Sequence, residues 1–128
     1  GFDLNCAPGH PCDVTCTATD GCHQSTITCP PDADCNITCS GTWSCQDATV
    51  ICPAGNFACN VQCSTSTSAC EGLTLQCGDG PCNLDCSNTT WVCDDVNMTC
   101  GTNACEATCA GSSTPNVTCG SACSCSTC

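Results

Sequence analysis

Cysteine recurs in this chain at a fixed phase, in four columns with a period of about 23 residues. The first column holds Cys12, Cys35, Cys59, Cys82, Cys105 and Cys123, and the second holds Cys16, Cys39, Cys63, Cys86 and Cys109. Cys22, Cys45, Cys70 and Cys93 form the third; Cys6, Cys29, Cys52, Cys77, Cys100 and Cys119 form the fourth. Cys125 and Cys128 stand outside the columns. Successive members of the first column lie 23, 24, 23, 23 and 18 residues apart, which predicts a truncated last coil over residues 105–128. Self-similarity at such a period marks a solenoid, in which each repeat buries its apolar face against the next. The register runs through residues 1–128 and predicts one domain.

The apolar content does not allow a conventional core. Of the 41% hydrophobic residues, 23 are Cys and 11 are Ala, whereas Leu, Ile, Val and Phe together number 15 in 128. That is below the level at which a highly charged chain is expected to bury enough surface to order itself. Covalent closure must substitute, and so high a cysteine fraction reads as a disulfide scaffold formed in an oxidising compartment outside the cytosol. Metal-thiolate clusters need thiolates one or two residues apart, but here the recurrent spacings leave three to six intervening residues. Only Cys123, Cys125 and Cys128 are spaced like such a cluster, and disulfide pairing is expected there too.

With no Lys or Arg and 12 Asp and Glu, the formal charge is −12. Nucleic acid is excluded as a partner because phosphate binding runs on Lys and Arg, and anionic membrane surfaces are excluded likewise. Trypsin-type proteases find no site, which suits a protein facing an outside medium. No run of about 20 apolar residues exists, and no basic region followed by an apolar one opens the chain, so neither a membrane span nor a retained signal peptide is expected. The reading is a secreted protein.

Period-two alternation identifies strands. Between the first two columns the pattern is Cys-x-apolar-x-Cys, with Val14, Ile37, Val61, Leu84 and Ala107 at the centre. Before the fourth column it reappears as Ile27 and Cys29; Ala48, Val50 and Cys52; Leu73, Leu75 and Cys77; Val96, Met98 and Cys100, with Phe2, Leu4 and Cys6 opening the series and Val117 and Cys119 ending it. Two short strands per coil, stacked on their counterparts, make parallel sheets with Cys, Val, Ile and Leu inside. Parallel crossovers are overwhelmingly right-handed, so the expected fold is all-β, a right-handed disulfide-rich parallel β-solenoid of about five 23-residue coils. Thr, Asn, Asp, Gly and Ser dominate every window and oppose helix.

Short corners separate the fourth column from the first and the second from the third. We expect each to be closed by its flanking pair: Cys6 with Cys12, Cys16 with Cys22, Cys29 with Cys35, Cys39 with Cys45, Cys52 with Cys59, Cys63 with Cys70, Cys77 with Cys82, Cys86 with Cys93, Cys100 with Cys105 and Cys119 with Cys123. Each closure is worth roughly 2 to 3 kcal/mol by loop entropy. Joining like columns of successive coils would place Cα atoms about 4.8 Å apart with parallel Cβ vectors, a poor disulfide geometry. Sequence alone does not prove connectivity. Cys109, Cys125 and Cys128 remain; Cys109 should take one of the other two, leaving one thiol free or bonded to another chain.

No catalytic or metal-binding set emerges, and neither enzyme activity nor a cofactor is expected. His10 lies in a Pro-flanked corner and His23 follows Cys22; both read as solvated loop residues. The acid pairs Asp32 with Asp34 and Asp94 with Asp95 fall short of the six to eight oxygens that Ca²⁺ wants. Four N-glycosylation sequons start at Asn36, Asn88, Asn97 and Asn116, of which three fall on strands with Asn and Thr facing out, so glycans are expected partners.

Two likenesses bear on function. Outward Thr26, Thr28, Thr49, Thr74, Thr99 and Thr118 would share one sheet face, and regular Thr ladders on a disulfide-bonded solenoid resemble the ice-binding face of beetle antifreeze proteins, although Ile51, Gln76, Asn97 and Asn116 interrupt this one. The repeat C-x-[IV]-x-C-x-G-x-x-S-C, clearest over Cys35 to Cys45, is similar to cysteine-rich repeats of extracellular proteins from algae and other protists, which implies an extracellular structural role. No capping helix is legible at either end, so copies are expected to add head to tail as a filament, with Cys125 or Cys128 available to join subunits. Ice binding is the alternative.

Overall fold

Residues 1–64, 67–86, 91–109 and 113–126 are described by the computed structural model, and they form a parallel β-solenoid of about five turns. Strands β1 (Asp3–Asn5), β3 (Thr26–Thr28), β5 (Thr49–Ile51), β7 (Thr74–Gln76), β9 (Asn97–Thr99) and β11 (Asn116–Thr118) stack in that order as one sheet. The second sheet stacks β2 (Cys12–Cys16), β4 (Cys35–Cys39), β6 (Cys59–Cys63), β8 (Cys82–Cys86), β10 (Ala104–Cys109) and β12 (Ser124–Ser126). Every pairing is parallel and aligns like positions of the repeat, as in Cys12 beside Cys35 and Ile27 beside Val50.

Alternation decides which way each residue points. Ile27, Val50, Leu75 and Met98 of the first sheet and Ile37, Val61, Leu84 and Ala107 of the second fill the core with the cysteines. Ala48, Leu73 and Val96 add a further buried row, whose place in the first coil is taken by Ser25. Burial of that polar side chain is offset by hydrogen bonds: Ser25 Oγ accepts from Phe2 N–H at 3.3 Å and donates to His23 O at 3.4 Å. At the two ends of the stack the core is incomplete, for Leu4, Val14 and Val117 are only partly covered.

Nine of the ten expected corner disulfides are present, from Cys6–Cys12 through Cys100–Cys105, with Cα separations of 5.7–6.0 Å. The tenth differs. Cys119 bonds Cys125, not Cys123, and it is Cys125 that pairs in register with Cys105 on β10. Corner geometry explains the correction: every other closure spans five to seven positions, and Cys119 to Cys125 spans six, whereas Cys123 would allow only four. Cys125 therefore belongs to the first column. Cys123 is the free cysteine among the described residues and is exposed. Cys109 is disulfide-bonded as expected, but not to Cys125; its partner lies outside the described residues.

The segment around the third column is more regular than a loop. Turns from Gly41 to Ser44 and from Cys45 to Ala48 close with i+3 hydrogen bonds of 3.1 and 3.2 Å. Their third residues, Trp43 and Asp47, both have φ of 54°. The same left-handed positions recur at Asp20 and Gln24, Ser68 and Gly72, Trp91 and Asp95, always two residues before and after the third-column Cys. A turn needs positive φ at its third position when the peptide ahead of it is flipped, and a non-Gly residue there costs about 1–2 kcal/mol. Stacking holds it: Cys22 N–H reaches Ser44 O, Cys45 N–H reaches Ala69 O and Cys70 N–H reaches Val92 O at 2.6–2.9 Å. On the opposite corners, a side chain at Gly101 would run into the backbone oxygen of Gly78 in the coil below.

Candidate functional site

Three surfaces carry chemistry: the outer face of each sheet, the third-column corner and the two ends of the stack. On the outer face of the longer-stranded sheet, the residues after Cys12, Cys35, Cys59 and Cys82 form a side-chain ladder. Asn36 Nδ2 donates to Asp13 Oδ1 at 2.8 Å, Asn60 Nδ2 to Asn36 Oδ1 at 2.9 Å, and Asn83 Nδ2 to Asn60 Oδ1 at 2.9 Å. All three donors point toward the first coil, so the terminal position needs only an acceptor. Asp13 supplies one, because a carboxylate has no donor to leave unsatisfied.

On the other sheet, twelve side chains face outward in two rows. One runs Asp3, Thr26, Thr49, Thr74, Asn97, Asn116, and the other Asn5, Thr28, Ile51, Gln76, Thr99, Thr118. Thr26, Thr49 and Thr74 are therefore an uninterrupted rank of three, while Ile51 and Gln76 divide Thr28 from Thr99 and Thr118. Of the sequon asparagines, Asn97 and Asn116 are exposed on this face. Asn36 is half-buried in the amide ladder, and Asn88 lies outside the described residues.

The residues singled out for metal or acid-base chemistry have other uses. His10 and His23 sit at opposite ends of β2, in different corners. Asp32 Oδ1 accepts from Gly9 N–H at 2.7 Å and Asp34 Oδ1 from Ala58 N–H at 2.9 Å, so the two carboxylates staple their coil to the ones before and after it. Asp94 Oδ1 is buried with no hydrogen-bond partner among the described residues, and Asp95 O accepts from Asn97 Nδ2 at 3.2 Å. Sulfurs do crowd together, as in Cys16, Cys22 and Cys45 or Cys52, Cys77 and Cys82. Each of those six is in a disulfide, and a disulfide sulfur is no thiolate ligand. Of the triplet at the end of the chain, Cys125 is likewise committed to Cys119.

At the ends of the stack, β1 and β2 have a strand neighbour on one side only, and so do β11 and β12. No helix of the described residues is long and apolar enough to cross a membrane. The exposed large apolar side chains are Phe2, beside the first rung, and Trp43 and Trp91 on the third-column corner. Sequence reasoning passed over both the tryptophans and the amide ladder. The signal was positional: Trp43 and Trp91 each stand two residues before a third-column Cys, and Asp13, Asn36, Asn60 and Asn83 each follow a first-column Cys. Comparison of the chain with protein-family models, with curated proteins and with solved structures finds no match.

Proposed function

We propose that the chain is a secreted structural subunit that adds head to tail into an extracellular filament, with no catalytic role. The observation behind this reading is the pair of unpaired edges, each backed by a partly covered apolar rung: Leu4 and Val14 at one end, Val117 at the other. An unpaired strand edge is a template for another strand, and a heterologous contact that does not close propagates as a fibre. In a continued register, β11 would lie on β1 of the next copy and set Val117 on Leu4, while β12 would lie on β2 and set Cys125 on Cys12. Ser126 would then face Asp13, so its hydroxyl could donate to the carboxylate that ends the amide ladder. The density of disulfides suits a secreted protein, and glycans on Asn97 and Asn116 would project from the outer sheet face, perpendicular to the direction of stacking.

The free thiol is not suited to staple this joint. Cys125 is already bonded, Cys128 lies outside the described residues, and at the opposite end Cys6 and Cys12 are bonded to each other. A Cys123 disulfide would link two like ends and stop growth.

The in-register Thr26, Thr49 and Thr74 favour a second reading, ice binding through the outer sheet face. Negative-stain electron microscopy of the purified protein, paired with thermal hysteresis, separates the two. Fibres without hysteresis support the filament; discrete particles with hysteresis would sink it and establish ice binding.

A further inference from the structure

Trp43 and Trp91 are the only two tryptophans of the chain. They remain 45% and 56% exposed on one corner of the solenoid, and both occupy the same left-handed turn position, with φ of 54° and 60°. Neither exposure nor backbone conformation favours a large aromatic there. Asp20 and Ser68 hold the equivalent position in two other coils, so the fold does not require an indole. Backbone hydrogen bonds from Cys45 N–H to Ala69 O and from Cys70 N–H to Val92 O keep the intervening turns in register. The tryptophans are thus two coils apart, about 9.6 Å along the axis at the usual spacing of parallel strands. Between them lies Ser68, small and only 9% exposed.

From this arrangement we infer that the Trp43–Trp91 corner is a binding platform for a neutral β-1,4-linked polysaccharide. In an extended β-1,4 chain, alternate pyranose rings present the same apolar C–H face at close to this interval, so each indole can take one ring while the ring between them passes over Ser68. Trp supplies large contact area at small entropic cost, which is why it anchors recognition sites. The rim is polar: exposed Asp20, Asp47 and Thr67 offer acceptors and a hydroxyl to sugar hydroxyls. Charge selects the ligand class further. A chain with no Lys or Arg and a formal charge of −12 repels uronates and sulfated sugars and leaves neutral glucans and acetylated glucosamine chains. The platform does not depend on assembly, and it would recur along a filament if one forms.

Intrinsic fluorescence of the whole protein tests this directly, because the chain has no Tyr and all emission above 300 nm, roughly, arises from these two side chains. Titration with cellohexaose or chitohexaose should give a saturable blue shift. Cellobiose, too short to reach both indoles, should bind at least tenfold more weakly, and an oligogalacturonate of six units should give no shift. Trp43→Ser and Trp91→Ser each import the residue that this turn position already carries at Ser68, so both variants keep the fold, and the remaining indole still reports. Each should weaken hexaose binding at least tenfold. Absence of a saturable shift with either hexaose, or hexaose affinity unchanged in both variants, would overturn the platform. So would a blue shift that grows with protein concentration and no sugar, which would assign the tryptophans to contact between copies.

Discussion

If closed corners rather than the apolar core hold the solenoid, the effect of removing a disulfide should depend on where the corner lies. Cys39 and Cys45 are both fully buried in the middle of the stack, and their bond spans six positions. Loop entropy for that span gives about 2 kcal/mol. Replacing both residues by Ala also strips two buried sulfurs from a packed interior, which adds about 1 kcal/mol each when the site cannot collapse. Cys39→Ala with Cys45→Ala should therefore cost about 4 kcal/mol. Cys6–Cys12 spans the same six positions but lies half-exposed on the end rung, so its double Ala variant should lose only the entropic part, about 2 kcal/mol. Guanidinium unfolding with the other disulfides kept oxidised, followed by circular dichroism and by the emission of Trp43, two residues from Cys45, measures both. Because each coil contacts only its neighbours, hydrogen exchange at the neighbouring Gln46 and Asp47 amides should report the central loss locally. Equal losses at centre and end, or a central loss below about 1 kcal/mol, would refute the reasoning.

Other consequences are open to simple measurements. Gln24, exposed and at φ 53°, should accept Gly with no loss or a gain of up to about 1 kcal/mol, read as the shift in unfolding midpoint; a clear loss would mean that the side chain holds the turn. Gly101→Ala should cost about 1–3 kcal/mol by forcing its coil off the Gly78 oxygen, a backbone atom that cannot step aside. Asn60→Ala breaks two rungs of the amide ladder at once and should cost about 1–2 kcal/mol, more than Asn83→Ala if the ladder ends there. Iodoacetamide should add once to the native, unreduced chain, at Cys123, and intact mass should rise to 23 adducts only after reduction; no native adduct would place Cys123 in a bond.

The strands and nine corners are legible because one residue type does two jobs. A Cys at each end of the Cys-x-apolar-x-Cys unit must face inward with the central residue, which sets the strand, and must find a partner across a corner too short to reach anything else. The last corner defeats that logic, since Cys123 and Cys125 share the same strand face and phase alone does not choose between them. Corner length does. The third-column turns are less legible still, because seven of their eight left-handed positions are not Gly; coil-to-coil hydrogen bonds, and not local preference, hold Trp43 or Gln24 there. Asn60 and Asn83 are legible as outward strand residues, but their pairing is not: on the stacked strands Asn60 donates to Asn36 in one neighbouring coil and accepts from Asn83 in the other. The outward Thr rank is visible in sequence, but its width is not, because that depends on Ile51 and Gln76 falling together in the row of Thr28 and Thr99.

The central proposal is growth of the solenoid through its open ends, and cryo-electron microscopy of the purified protein tests it most directly. Continued stacking predicts fibres with a layer line near 4.8 Å and an axial subunit repeat of about 29 Å, six strand spacings per molecule, with β12 of one subunit lying on β2 of the next. Discrete particles at every concentration, or fibres whose subunits meet through their sheet faces instead of their ends, would contradict it.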